Sequence, residues 1–405
     1  MTKVLGGVRV LEVALYGFVP AAASALSDWG ADVVKVEHPE TGDPIRGLAA
    51  FGVKPGDGGV TMLWEVLNRG KRCAGIDIAH PDGYEALMSL VERADVFLTN
   101  FLGPARQRLR IDAEHVRARN PRIIYARGTG HGVRGPDADR GGFDGISYWA
   151  RAGLATAAMP ADYDYPINLP GPAVGDIQAG LNLAGGICAA LYNRERTGEG
   201  AVVDASLLSA GLWAMQSSIA GSYVTGRDQL AKGDRRRPGN PLANVYRTAD
   251  DRFVFLAMLE ADRYWPGFCQ AVGRPEWIDD PRFATASCRR KNIERCVELL
   301  DELFAKEPLE HWKSVLDKQE GQWSIVQSPR ETLNDQQAWD NGFFTIVDYD
   351  NGARLPLVPA PVQFDEAATD LQPAPGLGEH TDDLLRACGY DDETIMNLKI
   401  GGAIT

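Results

Sequence analysis

The strongest constraint on this chain is an alternation, through its first third, of short β-branched runs with stretches of helical apolar periodicity. Val8 to Val13 reads as a strand, Ala21 to Trp29 as a helix, and Ala31 to Glu37 as a second strand. Cys73 to Ile78, Val96 to Asn100 and Ile123 to Arg127 are further strands, with a helix over Gly83 to Ala94. Parallel strands need long crossover connections, which helices supply, so this order predicts an α/β fold with a doubly wound sheet. Gly180 to Thr197 then reads as a long helix rich in small residues, which let another backbone approach closely. Composition shifts at Gly226 to Asn240, where Lys232, Arg235, Arg236, Arg237 and Pro238 make a charged loop. A second unit is expected from there, with a strand at Phe253 to Ala257 and helices at Arg263 to Val272, Asn292 to Phe304 and Leu309 to Lys318. Gln327 to Ala338 leads back out of it.

Composition removes several functional classes. The 405 residues carry 42 Lys plus Arg against 55 Asp plus Glu, a net charge of -13, which is the wrong sign for a generic nucleic-acid binder. No run reaches the roughly 18 uninterrupted apolar residues of a membrane span, and Met1 to Arg9 lacks the basic patch and apolar run of a secretory signal. A cytoplasmic protein with no membrane partner is expected. The six cysteines (Cys73, Cys188, Cys269, Cys288, Cys296, Cys388) are scattered without a C-x-x-C pair, so neither a disulfide framework nor a metal site is expected.

Three constellations bear on chemistry. Gly130, Gly132 and Gly135 match G-x-G-x-x-G after a strand, but Pro136, Asp137, Asp139, Gly141 and Gly142 follow with no helical period. A dinucleotide fingerprint needs a helix N-terminus facing the pyrophosphate, so no nicotinamide cofactor is expected. Arg46, Lys71, Arg72, Arg106 and Arg108 place positive charge beside strand ends, where an α/β sheet takes anionic ligands, although basic loop residues often only solvate a surface. Leu169 to Asp176 enters the small-residue helix, and Asp176 there reads either as an N-cap or as a carboxylate nucleophile beside Gly175. On the second reading, helix-terminal donors keep it ionised at neutral pH.

Several segments together resemble the family III CoA-transferases, the group that includes formyl-CoA, carnitine, mesaconyl-CoA and bile-acid CoA-transferases and the related 2-methylacyl-CoA racemases. They are Gly7 to Val13, Trp29 to Glu37, Gly42 to Gly47, Asn68 to Arg72, Asn100-Phe101, Asn120 to Arg122, Val174-Gly175-Asp176, Arg196 to Gly200 and Gly378 to Asp382, collinear across nearly the whole chain. The resemblance implies a Rossmann-like large domain made of residues 1–225 and 331–405, a smaller α+β domain over 226–330, and two subunits threaded through each other as an interlocked homodimer. It implies an acyl-CoA and a carboxylic acid as substrates, coenzyme A as the carried group, and Asp176 as the residue that forms an aspartyl mixed anhydride and then an aspartyl-CoA thioester.

For coenzyme A the resemblance implies contacts from Lys71, Arg72, Asn100, Phe101 and Arg108. The chain departs from the formyl-CoA enzyme at His38 (Arg there), Thr129 (Lys), His131 (Tyr) and Gly17 (a Gln that lies over the intermediate), so another acid is expected. That enzyme's glycine-rich lid has only Gly233, Gly239 and Asn240 as counterparts. In the racemases a His and an Asp flank the substrate α-carbon; the Gly-His-Asp segment that carries their His corresponds here to Gly142-Phe143-Asp144, and Phe143 cannot take up a proton. A transferase is therefore favoured over a racemase, and over a non-catalytic acyl-CoA-binding dimer that has no use for Asp176 beside Gly175. Tyr16, Phe18, Phe143, Tyr148 and Trp149 are read as core residues, with a bulky apolar site as the alternative.

Overall fold

A computed structural model describes residues 3–50, 52–160, 163–228 and 234–405; Lys232 and Gly233 of the expected loop and lid lie outside them. Two compact units are present, one running to Met159 with Tyr163–Asp228 and Gln336–Thr405, the other ending at Asp335.

The first unit is built on six parallel strands, β1 (Arg9–Val13), β2 (Asp32–Glu37), β3 (Arg72–Gly75), β4 (Val96–Thr99), β5 (Ile124–Thr129) and β6 (Val202–Ser206). Their spatial order is β3-β2-β1-β4-β5-β6, so the chain reverses direction across the sheet between β1 and β4. Both faces are covered. Val10, Val33, Leu98 and Ala126 point into one core with helix α1 (Phe18–Asp28) and helix α2 (Val174–Thr197), while Leu11, Val34, Phe97 and Tyr125 point into the other. Burial on both sides explains why these strands read as apolar runs rather than as alternating patterns.

Two elements near the site differ from the sequence reading. Strand β6 was missed because its run is half-exposed and includes Asp204, the signature of an edge strand. Helix α2 begins at Val174, six residues before the expected Gly180, because Ala173 in the left-handed region (φ 58) turns the chain into it. The small residues of α2 serve α1: a Cβ on Gly180 would lie 2.8 Å from the Ala21 Cβ and 2.9 Å from the Ala22 nitrogen. By length and composition α2 could cross a membrane, but its Ala179, Leu183, Ala184 and Ile187 face is packed into the core of the unit. As expected, no helix opens at Gly130 to Gly135.

The second unit pairs a three-stranded antiparallel sheet, β7 (Ala243–Arg247), β8 (Phe253–Ala257) and β9 (Trp323–Ile325), with helices that bury Trp265, Phe268, Phe304 and Trp312. A further antiparallel pair, β10 (Thr345–Asp348) and β11 (Arg354–Leu357), belongs to the first unit.

Candidate functional site

Asp176 is the third residue of α2 and caps nothing. The N-cap expectation fails because the position before the helix is held by Ala173, which has no side-chain acceptor. A different carboxylate takes that part: Asp144 Oδ2 accepts the Gly175 N–H at 3.2 Å, and its Oδ1 accepts the Gly145 N–H at 2.7 Å. Only glycine fits at 175, since a Cβ there would lie 2.7 Å from both the Asp144 Cβ and the Tyr148 ring. Across from this turn lies Gly17, the residue before α1, where any Cβ would overlap the Asp176 carboxylate. Burial, and after it the charge of Asp144, raises the Asp176 carboxyl from an ordinary value of 3.8 to about 7. The expectation that helix donors keep this group firmly ionised is thereby overturned, because Asp144 takes the Gly175 donor and adds a like charge.

The turn that brings Gly17 to Asp176 is pinned residue by residue. Ala14 O accepts from Lys35 Nζ at 2.8 Å. The Leu15 N–H donates to Asn100 Oδ1 at 3.0 Å and Leu15 O accepts from Asn100 Nδ2 at 2.6 Å, a clamp between the loops after β1 and β4. The Tyr16 N–H donates to Asp43 Oδ1 at 3.1 Å, and Tyr16 is held at φ 63, a conformation bulky residues rarely adopt. Lys35, Asn100 and Asp43 come from three different segments, and so the turn has little freedom to move away from Asp176.

Lys35 and Asp43 belong to a charge cluster inside the sheet. Lys35 Nζ lies 2.8 Å from Glu12 Oε1 and 2.9 Å from Asp43 Oδ2, Lys71 Nζ lies 2.7 Å from Glu12 Oε2, and Arg46 Nη2 lies 2.7 Å from Glu37 Oε1. Three acids and three bases balance, as burial of charge demands. Burial opposes ionisation of Glu12, but Lys35 and Lys71 hold its carboxyl below the usual range. Burial pulls the Lys71 ammonium down to about 8 against the attraction of Glu12.

This cluster corrects the role expected of Lys71. Its ammonium has no exposed surface and already donates to Glu12, Pro20 O, Leu67 O and Asn68 Oδ1 at 2.7–2.9 Å, so no donor is left for a phosphate. Arg72 is corrected too. Its guanidinium forms a two-point pair with Asp32, the first residue of β2, at 2.6 and 3.0 Å, which directs it to the amino edge of the sheet.

The other expected contacts gather at the carboxyl edge, where α/β sheets bind ligands. His38 follows β2 and is exposed, with Nδ1 accepting the Glu40 and Thr41 N–H groups. Asn100 and Phe101 follow β4, and Arg108, at the end of the helix Gly103–Arg108, is exposed and unpaired among the described residues. Thr129 ends β5 with Oγ1 accepting the Gly132 N–H at 3.0 Å, and His131 stands beyond it beside Arg151. Among the described residues no cluster of His, Cys, Asp or Glu is placed to hold a metal ion.

The five aromatics divide. Phe18 and Tyr148 are buried and Trp149 packs partly against the same core, whereas Tyr16 and Phe143 are exposed at 36% and 54%. These two meet edge to face, ring centroids 5.4 Å apart at 88°. Asp43, Asp144 and the Tyr16–Phe143 pair were not singled out from sequence as parts of the site. Asp43 lay in the Gly42 to Gly47 segment and Asp144 in the Gly142-Phe143-Asp144 segment, but the contacts of Asp144 with Gly175 and of Tyr16 with Phe143 join residues more than thirty positions apart.

Comparison with known proteins gives a consistent result. Residues 5–381 match CoA-transferase family III. The chain is 32% identical over 396 residues to the (R)-2-hydroxy-4-methylpentanoate CoA-transferase of Clostridioides difficile, covering 98% of each chain. It is 28% identical to the cinnamoyl-CoA:phenyllactate CoA-transferase of Clostridium sporogenes, over 98% of this chain and 96% of that one. Among solved structures, a CAIB/BAIF family protein from Brucella suis superposes with a TM-score of 0.82 at 26% identity, over 96% of this chain and all of the other.

Proposed function

The chain belongs to CoA-transferase family III, and from that premise we propose that it moves CoA between an acyl-CoA and a carboxylic acid with Asp176 as the nucleophile. The observation that carries this reading is the Asp176 carboxylate itself. It lies between Gly17 and Asp144, with no side chain at position 17 to block an approaching thioester.

In the proposed sequence an Asp176 oxygen attacks the thioester carbonyl and the CoA thiolate leaves, giving an acyl-aspartyl anhydride. The thiolate then attacks the aspartyl carbonyl, releasing the first acid as its carboxylate and leaving an aspartyl-CoA thioester. The acceptor carboxylate attacks that thioester, the thiolate leaves again, and its attack on the acceptor's acyl carbon yields the new acyl-CoA and free Asp176. Thioester energy is kept as anhydride throughout, so no outside energy source is required. CoA runs along the loops after β2, β4 and β5, with Asn100, Phe101, Arg108, His38, Thr129 and His131 as its neighbours. Two of the similar enzymes, one named for 2-hydroxy-4-methylpentanoate and one for phenyllactate, each matched over 98% of this chain, support a monocarboxylic 2-hydroxy acid or its dehydrated product as one substrate. Phe143 in place of a base argues against racemisation, which needs proton acceptors on both faces of the α-carbon.

The same reading takes the protein as an interlocked homodimer. Trp213, Tyr223 and Val224 are 69%, 89% and 83% exposed in one chain, a surface that a second copy would cover. Light scattering on serial dilution tests this: a threaded pair stays dimeric, and a concentration-dependent monomer would reject it.

The decisive experiment is trapping. Hydroxylamine added to enzyme and acyl-CoA should convert Asp176 alone to a hydroxamate, seen by peptide mass spectrometry, and Asp176→Ala should lose several orders of magnitude in rate while still binding CoA. A hydroxamate on another carboxylate, or none despite turnover, removes Asp176 from the mechanism.

A further inference from the structure

Tyr16 and Phe143 are the immediate chain neighbours of Gly17 and Asp144, the two residues that flank the Asp176 carboxylate. Both rings are held out from the core by backbone bonds rather than left there by a loose loop. The Tyr16 N–H is fixed by Asp43 at 3.1 Å, and Phe143 O accepts the Ile146 and Ser147 N–H groups at 3.1 and 2.9 Å. Exposing two aromatic rings is unfavourable, and an exposed apolar surface beside a reactive group marks a ligand contact. Ile146, 52% exposed, continues the same surface.

The charges around this rim point the same way. Asp144 and Asp176 are both acidic. Among the described residues, the guanidiniums of Arg46 and Arg151 are already engaged, the first by Glu37 at 2.7 Å and the second by Asp137 at 2.6 Å. A second carboxylate on the substrate would meet the like charges of Asp144 and Asp176, whereas an apolar side chain would meet two aromatic faces.

We infer that Tyr16 and Phe143 form the side-chain subsite of the acyl group and select monocarboxylic acids with a branched or aromatic side chain over short acids and over dicarboxylic acids. The inference rests on Asp176 being the acylated residue. A single methylene in an apolar pocket is worth roughly 10- to 200-fold in discrimination, so several such contacts give a readable ratio.

The test measures kcat/KM for isotopically labelled 4-methylpentanoate, 3-phenylpropanoate, propionate and succinate as acceptors with unlabelled 4-methylpentanoyl-CoA as donor, reading label in the acyl-CoA product. The wild type should favour the first two over the last two by at least about tenfold. Phe143→Ala should compress that ratio severalfold, and Phe143→Leu should restore most of it, which a general folding defect would not do. Equal kcat/KM for all four acids, or a ratio unchanged in Phe143→Ala, overturns the inference while leaving the transferase reading intact. Binding of 4-methylpentanoyl-CoA and propionyl-CoA to Asp176→Asn, measured by calorimetry, separates the two claims. Tighter binding of the branched thioester without turnover in the wild type would sustain the subsite and reject the transferase; equal binding would reject the subsite.

Discussion

Asp144 caps the helix that begins beside it: its Oδ2 receives the Gly175 N–H at 3.2 Å, one residue before the carboxylate that reacts in the proposed mechanism. The arrangement sets a negative charge next to Asp176 and withholds a donor from it, and together with burial it holds the Asp176 carboxyl near 7. The nucleophile is the ionised form, so kcat/KM should rise with pH through about 7. Asp144→Asn keeps an acceptor for Gly175 but removes the charge, and the rising limb should move to lower pH. A pH-rate profile that does not shift would show that Asp144 has no electrostatic hold on Asp176.

A linked effect appears in stability. The Asp176 carboxyl is raised in the folded state, from 3.8 to about 7, so folding favours its protonated form. The penalty for ionising it is absent below the unfolded value, grows as pH climbs between the two, and is complete above the folded value. Asp176→Asn avoids that penalty. Its unfolding free energy should exceed that of the wild type by a margin that widens from pH 5 to pH 8, reaching on the order of 2 kcal/mol for this partly exposed group, with a correspondingly higher melting temperature. Scanning calorimetry of both proteins across that range checks the sign.

Gly17 has an ordinary backbone, φ -102 and ψ -53, so a side chain there is opposed by Asp176 rather than by strain. Gly17→Ala should lower activity sharply and destabilise by about 1–3 kcal/mol, as overpacking does. Combining it with Asp176→Ala should recover part of that loss, because the obstructing carboxylate is gone. Urea unfolding of the four proteins in this cycle measures the coupling, and strict additivity would contradict the contact.

The basic residues beside the sheet should separate by function. Arg108→Ala should weaken CoA binding, with a smaller salt dependence than the wild type, because an exposed charge is screened over about 8–10 Å. Arg72→Ala should leave CoA affinity unchanged. Lys71→Ala should destabilise the fold by about 3–5 kcal/mol, since it removes one partner of a buried pair with Glu12. Calorimetric CoA titrations at two salt concentrations, with melting curves, distinguish the three; a loss of CoA affinity in Arg72→Ala would overturn its placement.

The sheet and Asp176 were legible in the sequence for identifiable reasons. Strands buried on both faces leave continuous apolar runs, and Val174-Gly175-Asp176 stood out through its resemblance. The electrostatics were not legible. Lys71 beside Arg72 looks like a surface pair, yet its partner Glu12 is 59 positions earlier, and only the parallel stacking of β1, β2 and β3 reveals that one is buried while the other is paired outside. Likewise the sequence offered Asp176 itself as the helix cap, whereas the Gly175 N–H is taken by Asp144, 31 positions before Gly175. Tyr16 and Phe143 look like core aromatics by type. The exposure of Tyr16 goes with a left-handed backbone pinned by Asp43, which no local pattern announces.

The charge cluster inside the sheet has a consequence for how the chain finds its fold. Strands β1 and β2 are buried at four and five consecutive positions, so their apolar patterns do not distinguish the correct pairing from one shifted along the strand. Glu12 and Lys35 do. They stand opposite each other in the parallel register, and Lys71 completes the same carboxylate from the chain entering β3. A slip of one residue would turn Glu12 or Lys35 to the other face of the sheet and strand an unpaired charge in hydrocarbon, a far larger penalty than any loss of apolar contact. The cluster thus works as an alignment key for β1, β2 and β3, since only the native register leaves every one of its charges matched.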